Sequence, residues 1–185
     1  MANLIASNTA TAGSGYAYWG STRRSAQYFV VPAGYTCLAY ISVNIKRIGT
    51  PGTIYWAWHA DGGSKPGTQL AETGNAESSI GTSYGWYTQD ITDVAVSPSA
   101  AYWIVMRQPT ATSTTTDCFM WDSAGSGSGG KYSQDSGSTY SALGGCDWSY
   151  KIYGYGPPAG MGATTTSSVS NTSMTAASDV TDEMG

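Results

Sequence analysis

Charged side chains are scarce in this sequence. Lys, Arg, Asp and Glu make up 11% of the 185 residues, and the eight basic residues never form a run longer than a pair. A protein that binds nucleic acid needs a basic patch or stripe that neutralises phosphates. We therefore predict no nucleic-acid partner.

Long apolar runs are also missing. No stretch approaches the roughly 18 to 20 apolar residues that a membrane helix needs. The first residues, MANLIASNTATAGSG, carry neither a basic leader nor an extended apolar segment. We expect neither a membrane span nor a secretory leader in this chain.

Histidine and cysteine are too few for several kinds of site. His59 is the only histidine, which excludes a metal site built from several histidines and leaves one imidazole as a base for a serine or cysteine nucleophile. The three cysteines, Cys37, Cys118 and Cys146, are an odd number and exclude a framework of disulfides. Two interpretations stay open for Cys118 and Cys146: a bridge between neighbouring strands, or buried thiols.

Small residues and polar aromatic residues are abundant instead. The chain has 24 Gly, 14 Tyr and 7 Trp against 2 Phe, and its apolar residues occur in short runs without a helical period. This composition is typical of a β-sandwich or barrel. Because Tyr and Trp join a polar group to a large apolar ring, the composition also permits an aromatic binding surface.

Strand-like runs recur between turn signals such as GTPG, DGG, KPG and GSGSGG. About seven or eight strands at this spacing predict an all-β fold, an antiparallel sandwich. Alternation within the second run places Ile41, Val43 and Ile45 on a buried face and polar residues on a wet one. The runs cover residues 27–31, 37–48, 53–60, 68–73, 84–91, 101–108, 117–122 and 147–155.

The two ends of the chain differ from this body. Residues 1–26 are mostly small and polar, and we predict an extended N-terminal arm before a sandwich domain at 27–156. Residues 157–185 are rich in Ser, Thr and Ala and contain no aromatic residue, so they cannot bury enough apolar surface to fold alone. We predict that both ends bind other copies of the chain or other subunits of an assembly.

Three segments of the body carry a pattern found elsewhere. They read ISVNIKRIGTPGTIYWAWHADGGSKPGTQLAE, SYGWYTQDITDVAVSPSAAYWIVMRQ and DWSYKIYGY. Together they resemble the jelly-roll modules called choice-of-anchor domains of bacterial surface and phage-encoded proteins, over residues 27–155, with Tyr150 where those modules usually have Phe. The resemblance implies a jelly-roll sandwich with an adhesive or display role, and it implies no set of functional residues.

Glycoside hydrolysis is the enzymatic alternative, because small jelly-roll xylanases share this composition. Such enzymes need two carboxylates roughly 5 to 9 Å apart across a cleft. The body contains only Glu72 and Glu77 as glutamates, close together in sequence in a predicted loop, and we predict that the protein is not an enzyme. The aspartate pairs that stay open are Asp90 with Asp93 and Asp122 with Asp147.

Carbohydrate binding without catalysis needs exposed aromatic rings with polar groups at their edge. In residues 53–60 the alternation turns Trp56 and Trp58 into the core with Ile54, and it turns Tyr55 and His59 outward. We expect His59 to be a surface residue, and we take Asp61 as a weak candidate ligand for calcium, which needs six to eight oxygens. The candidate ligand-binding residues are Tyr55, His59, Trp103 and Tyr153, and the tryptophans whose side the pattern leaves open are Trp19, Trp86 and Trp121.

These observations predict a non-enzymatic binding and structural protein. The first hypothesis is a subunit on the surface of a phage virion, a capsid decoration or tail-associated protein. The alternative is a carbohydrate-binding or adhesin module on a bacterial cell surface, and a small glycoside hydrolase is third. An exposed tryptophan on such a sheet serves a glycan or another subunit equally well.

Overall fold

The computed structural model describes residues 1–156 apart from 14, 19–20, 110–115, 125–128, 143 and 146, and for residues 16–18 it describes the backbone. The described residues form strands β1 to β13, numbered in chain order, in two antiparallel sheets. The first sheet contains β1 (Asn3–Asn8), β2 (Gly15–Tyr18), β4 (Cys37–Ile48), β7 (Gly85–Ala95), β9 (Cys118–Ala124), β12 (Asp147–Trp148) and β13 (Tyr150–Tyr155). The second sheet contains β3 (Arg24–Val30), β5 (Ile54–Asp61), β6 (Pro66–Asn75), β8 (Ala101–Arg107), β10 (Gly130–Ser133) and β11 (Ser141–Ala142).

The order of the strands fixes which side chains are neighbours. In the second sheet the order is β11-β10-β3-β8-β5-β6. In the first sheet, β13 and β9 both pair with β4, and β7 also pairs with β4. A 3-10 turn, Glu77–Ser79, follows β6. The predicted loop after Asp61 is the turn of the β5–β6 hairpin, where the Gly62 N–H donates to the Lys65 carbonyl at 2.9 Å and Gly63 has a φ of 75°.

Tryptophan dominates the core between the sheets. Trp56 and Trp58 are fully buried, as the alternation in β5 predicts. Trp121 meets the edge of Trp56 at a centroid distance of 5.0 Å and stacks on Trp148 at 5.0 Å. These ring pairs add to a large apolar burial and hold the two sheets face to face.

Polar contacts of Trp148 also join the two sheets. Its indole N–H donates to the Ala26 carbonyl of β3 at 3.1 Å, and its backbone N–H donates to Gln27 Oε1 at 2.8 Å. Both contacts are buried, so breaking either would leave a polar group without water. Trp148 therefore sets how the first sheet lies on the second.

The predicted all-β antiparallel sandwich is confirmed, and the jelly-roll connectivity stays a prediction. The N-terminal stretch, expected as an arm over 1–26, contributes more to the sandwich than predicted. β1 pairs with β13, β2 pairs with β9, and β3 begins at Arg24. The backbone groups of β1 and β2 are bonded into the first sheet, where an arm would leave them unpaired. The tail at 157–185 lies outside the described residues.

Candidate functional site

Four of the sequence-predicted residues lie on one face of the second sheet. Tyr55, His59 and Asp61 lie on β5, and Trp103 lies directly opposite His59 on β8. Alternation turns them away from the core, onto what we call the outer face of the second sheet. Tyr153 is on β13 of the first sheet, so the structure does not bring it together with the other four.

The prediction that Trp103 is exposed is wrong. Trp103 is 1% exposed, and it packs with Ala26 and Val105 in a second apolar cluster on the outer face of the second sheet. Its indole N–H donates to Asp61 Oδ1 at 2.8 Å, and the ring of Tyr28 lies 5.3 Å away. A ring held on these sides has no free surface for a sugar.

The prediction that His59 is a surface residue is also wrong. His59 is 5% exposed, and its Nδ1 lies 2.9 Å from the Gly67 carbonyl on β6. Because a carbonyl accepts, Nδ1 carries the proton in the neutral ring. Burial lowers the pKa of His59, the hydrogen bond to Gly67 opposes that change, and nearby Arg24 adds to it. A neutral histidine in a closed position is a structural residue.

A segment after β10 covers the part of this face around Trp103. Tyr140 packs against the cluster around Trp103, and Lys65 Nζ donates to the Ser138 carbonyl at 3.5 Å. The carboxylate of Asp135 shapes the segment, accepting hydrogen bonds from the Thr139 hydroxyl and N–H and from Ser133, which together hold the pKa of Asp135 well below its ordinary value. Alternation assigned the face correctly, but the face is covered.

Tyr55 lies on the same face, where it is half-buried among its neighbours. The Arg107 guanidinium lies 4.5 Å from the centre of the Tyr55 ring, and Gly74, which has no side chain, leaves room for the ring on β6. Arg107 is also bonded by two nitrogens to both carboxylate oxygens of Glu72. These contacts hold Tyr55 in a fixed position and occupy it.

The two glutamates of the predicted hydrolase alternative both have structural partners. Glu72 forms the ion pair with Arg107, and Glu77 accepts a hydrogen bond from the backbone N–H of Gly52. Both carboxylates are therefore engaged in contacts within the fold.

Asp61, the weak calcium candidate, is bonded to Trp103. Among the described residues there is no group of three or more His, Cys, Asp or Glu side chains that could hold a metal ion. In the same part of the chain no helix is both long and apolar enough to cross a membrane. Cys118 is buried, and Cys146 lies outside the described residues, so a bridge and a pair of thiols both remain open interpretations.

The first sheet has an open aromatic surface on its outward side. Tyr40 on β4 and Tyr153 on β13 are directly opposite in register, and their rings stack at 4.4 Å with an angle of 18°. Trp86 on β7 is 39% exposed and is opposite Asn44. We call Tyr40, Tyr84, Trp86 and Tyr153 the aromatic face.

Two lysines extend over this aromatic face. Lys151 Nζ lies 4.1 Å from the centre of the Trp86 ring, and Lys46 Nζ lies 4.5 Å from that of Tyr84, within the range of a cation–π contact. Because β4 runs between β13 and β7, the contact from Lys151 to Trp86 passes over β4. Ser42 and Asn44 beneath it are buried.

Hydrogen bonds fix the layer below the rings. Asn44 Nδ2 donates to the buried carboxylate of Asp122 at 2.9 Å, and Asp122 also accepts from the Ser123 N–H. The backbone N–H of Gly15 donates to the Tyr84 hydroxyl at 2.7 Å. A side chain at Gly15 would meet the Trp121 carbonyl and Tyr84. β2 can therefore pass this close to the aromatic face only because residue 15 is a glycine.

Of this aromatic face, the sequence predicted Tyr153 and left Trp86 open. Tyr40 was missed, although it has the same parity as Ser42, Asn44 and Lys46, which the alternation had already assigned to the wet face. Trp121, left open as well, is buried in the core. Trp19 lies outside the described residues.

Comparisons with known proteins found no match, either to a protein-family model or among curated proteins. The resemblance to choice-of-anchor domains therefore stays a prediction.

Proposed function

We propose that the protein is a non-enzymatic binding module that takes carbohydrate on the aromatic face of its first sheet. The exposure of Trp86 beside the Tyr40–Tyr153 pair, on the side turned away from the core, carries this proposal. A sugar offers an apolar C–H surface to an aromatic ring and hydroxyl groups at its rim. Thr88 and Asp90, both exposed on β7, supply polar groups between the level of Trp86 and that of Tyr40.

The second sheet supports the proposal by contrast. Its predicted contact residues are occupied: Trp103 and His59 are buried, and Tyr55 is enclosed by Arg107 and Gly74. Large exposed apolar surface on a soluble protein commonly marks an interaction site. On the aromatic face Trp86 is 39% exposed, and Tyr40 and Tyr153 are partly exposed.

A glycan array with three variants tests this function. We expect saturable binding by the native protein and a loss of at least about tenfold in affinity for Trp86→Ala and for Tyr153→Ala. Tyr28→Ala is the matched control, since Tyr28 is similarly exposed, at 36%, on the second sheet. A flat array, or equal loss in the control, would contradict the proposal.

We further propose that the module is displayed on a larger assembly, the surface of a phage virion, with a bacterial cell surface as the alternative. The polar composition of residues 157–185 and the resemblance to display modules support this. Removing 157–185 should abolish assembly and leave the β-sheet circular dichroism unchanged, because every strand of the described residues ends by residue 155. Size-exclusion chromatography of the full chain and of the shortened chain measures the assembly directly. Assembly that persists without residues 157–185 would refute the proposal.

A further inference from the structure

The aromatic face carries two lysines that form no ion pair with a carboxylate of the described residues. Among the described residues, the ion pair within 4 Å joins Arg107 to Glu72 on the other sheet, and neither Lys46 nor Lys151 is so paired. The chain as a whole has a net charge of −4. Two lysines without an ion pair among the described residues therefore lie on the aromatic face of a protein whose net charge is negative.

We propose that the aromatic face selects acidic glycans, with Lys151 and Lys46 pairing with a carboxylate or a sulfate on the sugar. This inference rests on the proposed carbohydrate function and names its ligand class. A lysine has three N–H donors. One side of each ammonium faces an aromatic ring, and donors on the other side stay available to an anion.

The positions of the lysines suit a charged sugar chain. Lys151 lies next to Ser42 on β4 and reaches to Trp86 on β7, whereas Lys46 is four residues further along β4. Lys151 Nζ lies over Trp86, which is opposite Asn44, two residues from Lys46 along β4. Two residues of a strand span about 7 Å. A chain of sugars lying along β4 therefore meets the two cations close together, next to the rings of Trp86 and Tyr84.

Two carboxylates lie close to this surface without forming an ion pair with either lysine. Asp122 is buried below the rings and accepts hydrogen bonds from Asn44 and Ser123. Asp90 is exposed, but it lies opposite Tyr40, two residues along β7 from the level of Lys151. Asp90 would repel an acidic ligand at that end, and its removal should therefore strengthen binding.

The test compares polymers that differ only in charge. Binding is measured to polygalacturonate against its methyl ester, and to chondroitin sulfate against desulfated chondroitin, so that the two pairs distinguish carboxylate from sulfate. We expect the native protein to bind at least one acidic member about tenfold more tightly than its less charged partner. The preference should fall as salt rises from about 50 to 500 mM, because exposed charges are screened.

Four variants assign the preference to the lysines. Lys151→Gln should weaken acidic binding about fivefold and change neutral binding less, and Lys151→Arg should restore the acidic binding. Asp90→Asn should strengthen acidic binding. Lys131→Gln removes the same charge from the second sheet and should change neither acidic nor neutral binding.

The outcomes separate this inference from the function on which it rests. Equal affinity for the two members of both pairs overturns the inference while the carbohydrate function stands. An acidic preference that persists in a folded Lys46→Gln, Lys151→Gln double variant also overturns it. Failure of the folded native protein to bind any sugar polymer overturns both.

Discussion

Replacing Trp103 is the clearest test between the exposed position that the sequence predicts and the buried position in the structure. Alternation alone makes Trp103 an exposed glycan contact, whereas the structure buries it beneath Tyr140 on the outer face of the second sheet. Trp103→Ala removes a large ring from a closed position. Burial of this kind contributes about 3–5 kcal/mol per aromatic residue.

A second variant divides that free energy into ring packing and hydrogen bonding. Trp103→Phe keeps most of the ring and loses the indole N–H that donates to Asp61 at 2.8 Å. Asp61 is exposed and water replaces the lost donor, so this change should cost about 1–2 kcal/mol. A domain of this size has a free energy of unfolding of about 5–15 kcal/mol, and only the alanine variant should lose a large share of it.

Urea unfolding followed by tryptophan fluorescence measures both values, and glycan affinity is measured in parallel below the transition. The folded variants should bind sugar as the native protein does. If Trp103→Ala kept native stability and lost glycan binding, Trp103 would be the exposed contact of the sequence prediction, and the reasoning from burial would be refuted.

Three further predictions follow from the second sheet. Burial lowers the pKa of His59, so as pH falls the unfolded chain takes up a proton before the folded protein does. The free energy of unfolding should therefore fall as pH drops below about 6.5, by at most about 1.4 kcal/mol per pH unit. The fall should end at the pKa that His59 has in the folded protein. Urea unfolding across this range should show a flatter profile for His59→Gln, and an unchanged profile would contradict the assignment. Glu72→Gln breaks a partly exposed ion pair and should destabilise by about 0.5–1 kcal/mol, an effect that should shrink in high salt if it is electrostatic. Gly74→Ala would place a methyl group 2.7 Å from the Tyr55 ring and should lower the free energy of unfolding by about 1–3 kcal/mol. The control is Gly85→Ala, whose methyl group would meet nothing within 4 Å. Equal losses for the two variants would refute the contact.

The sequence predicted the strands better than their surroundings. The run at 37–48 matches β4, and the inward direction of Trp56 and Trp58 follows from alternation alone. Strand periodicity is local, so neighbouring residues carry it. What covers a face is not local. The segment that packs against the cluster around Trp103 comes from far along the chain, and its Asp135 network has no periodic pattern.

The same limit applies to the aromatic face. Tyr40, Trp86 and Tyr153 come from three separate strands, and only the pairing of β13 and β7 with β4 brings them together. Alternation could have added Tyr40 to the wet side of β4. No pattern within one strand predicts that Lys151 reaches across β4 to Trp86.

Mapping a bound oligosaccharide on the folded protein by NMR tests the central claim most directly. The seven tryptophans give indole N–H signals that can be assigned by substitution. We predict that a saturating sugar shifts the Trp86 indole signal and the backbone signals of Tyr40 and Tyr153, and leaves the Trp103 indole signal in place. Shifts confined to the second sheet would contradict the account.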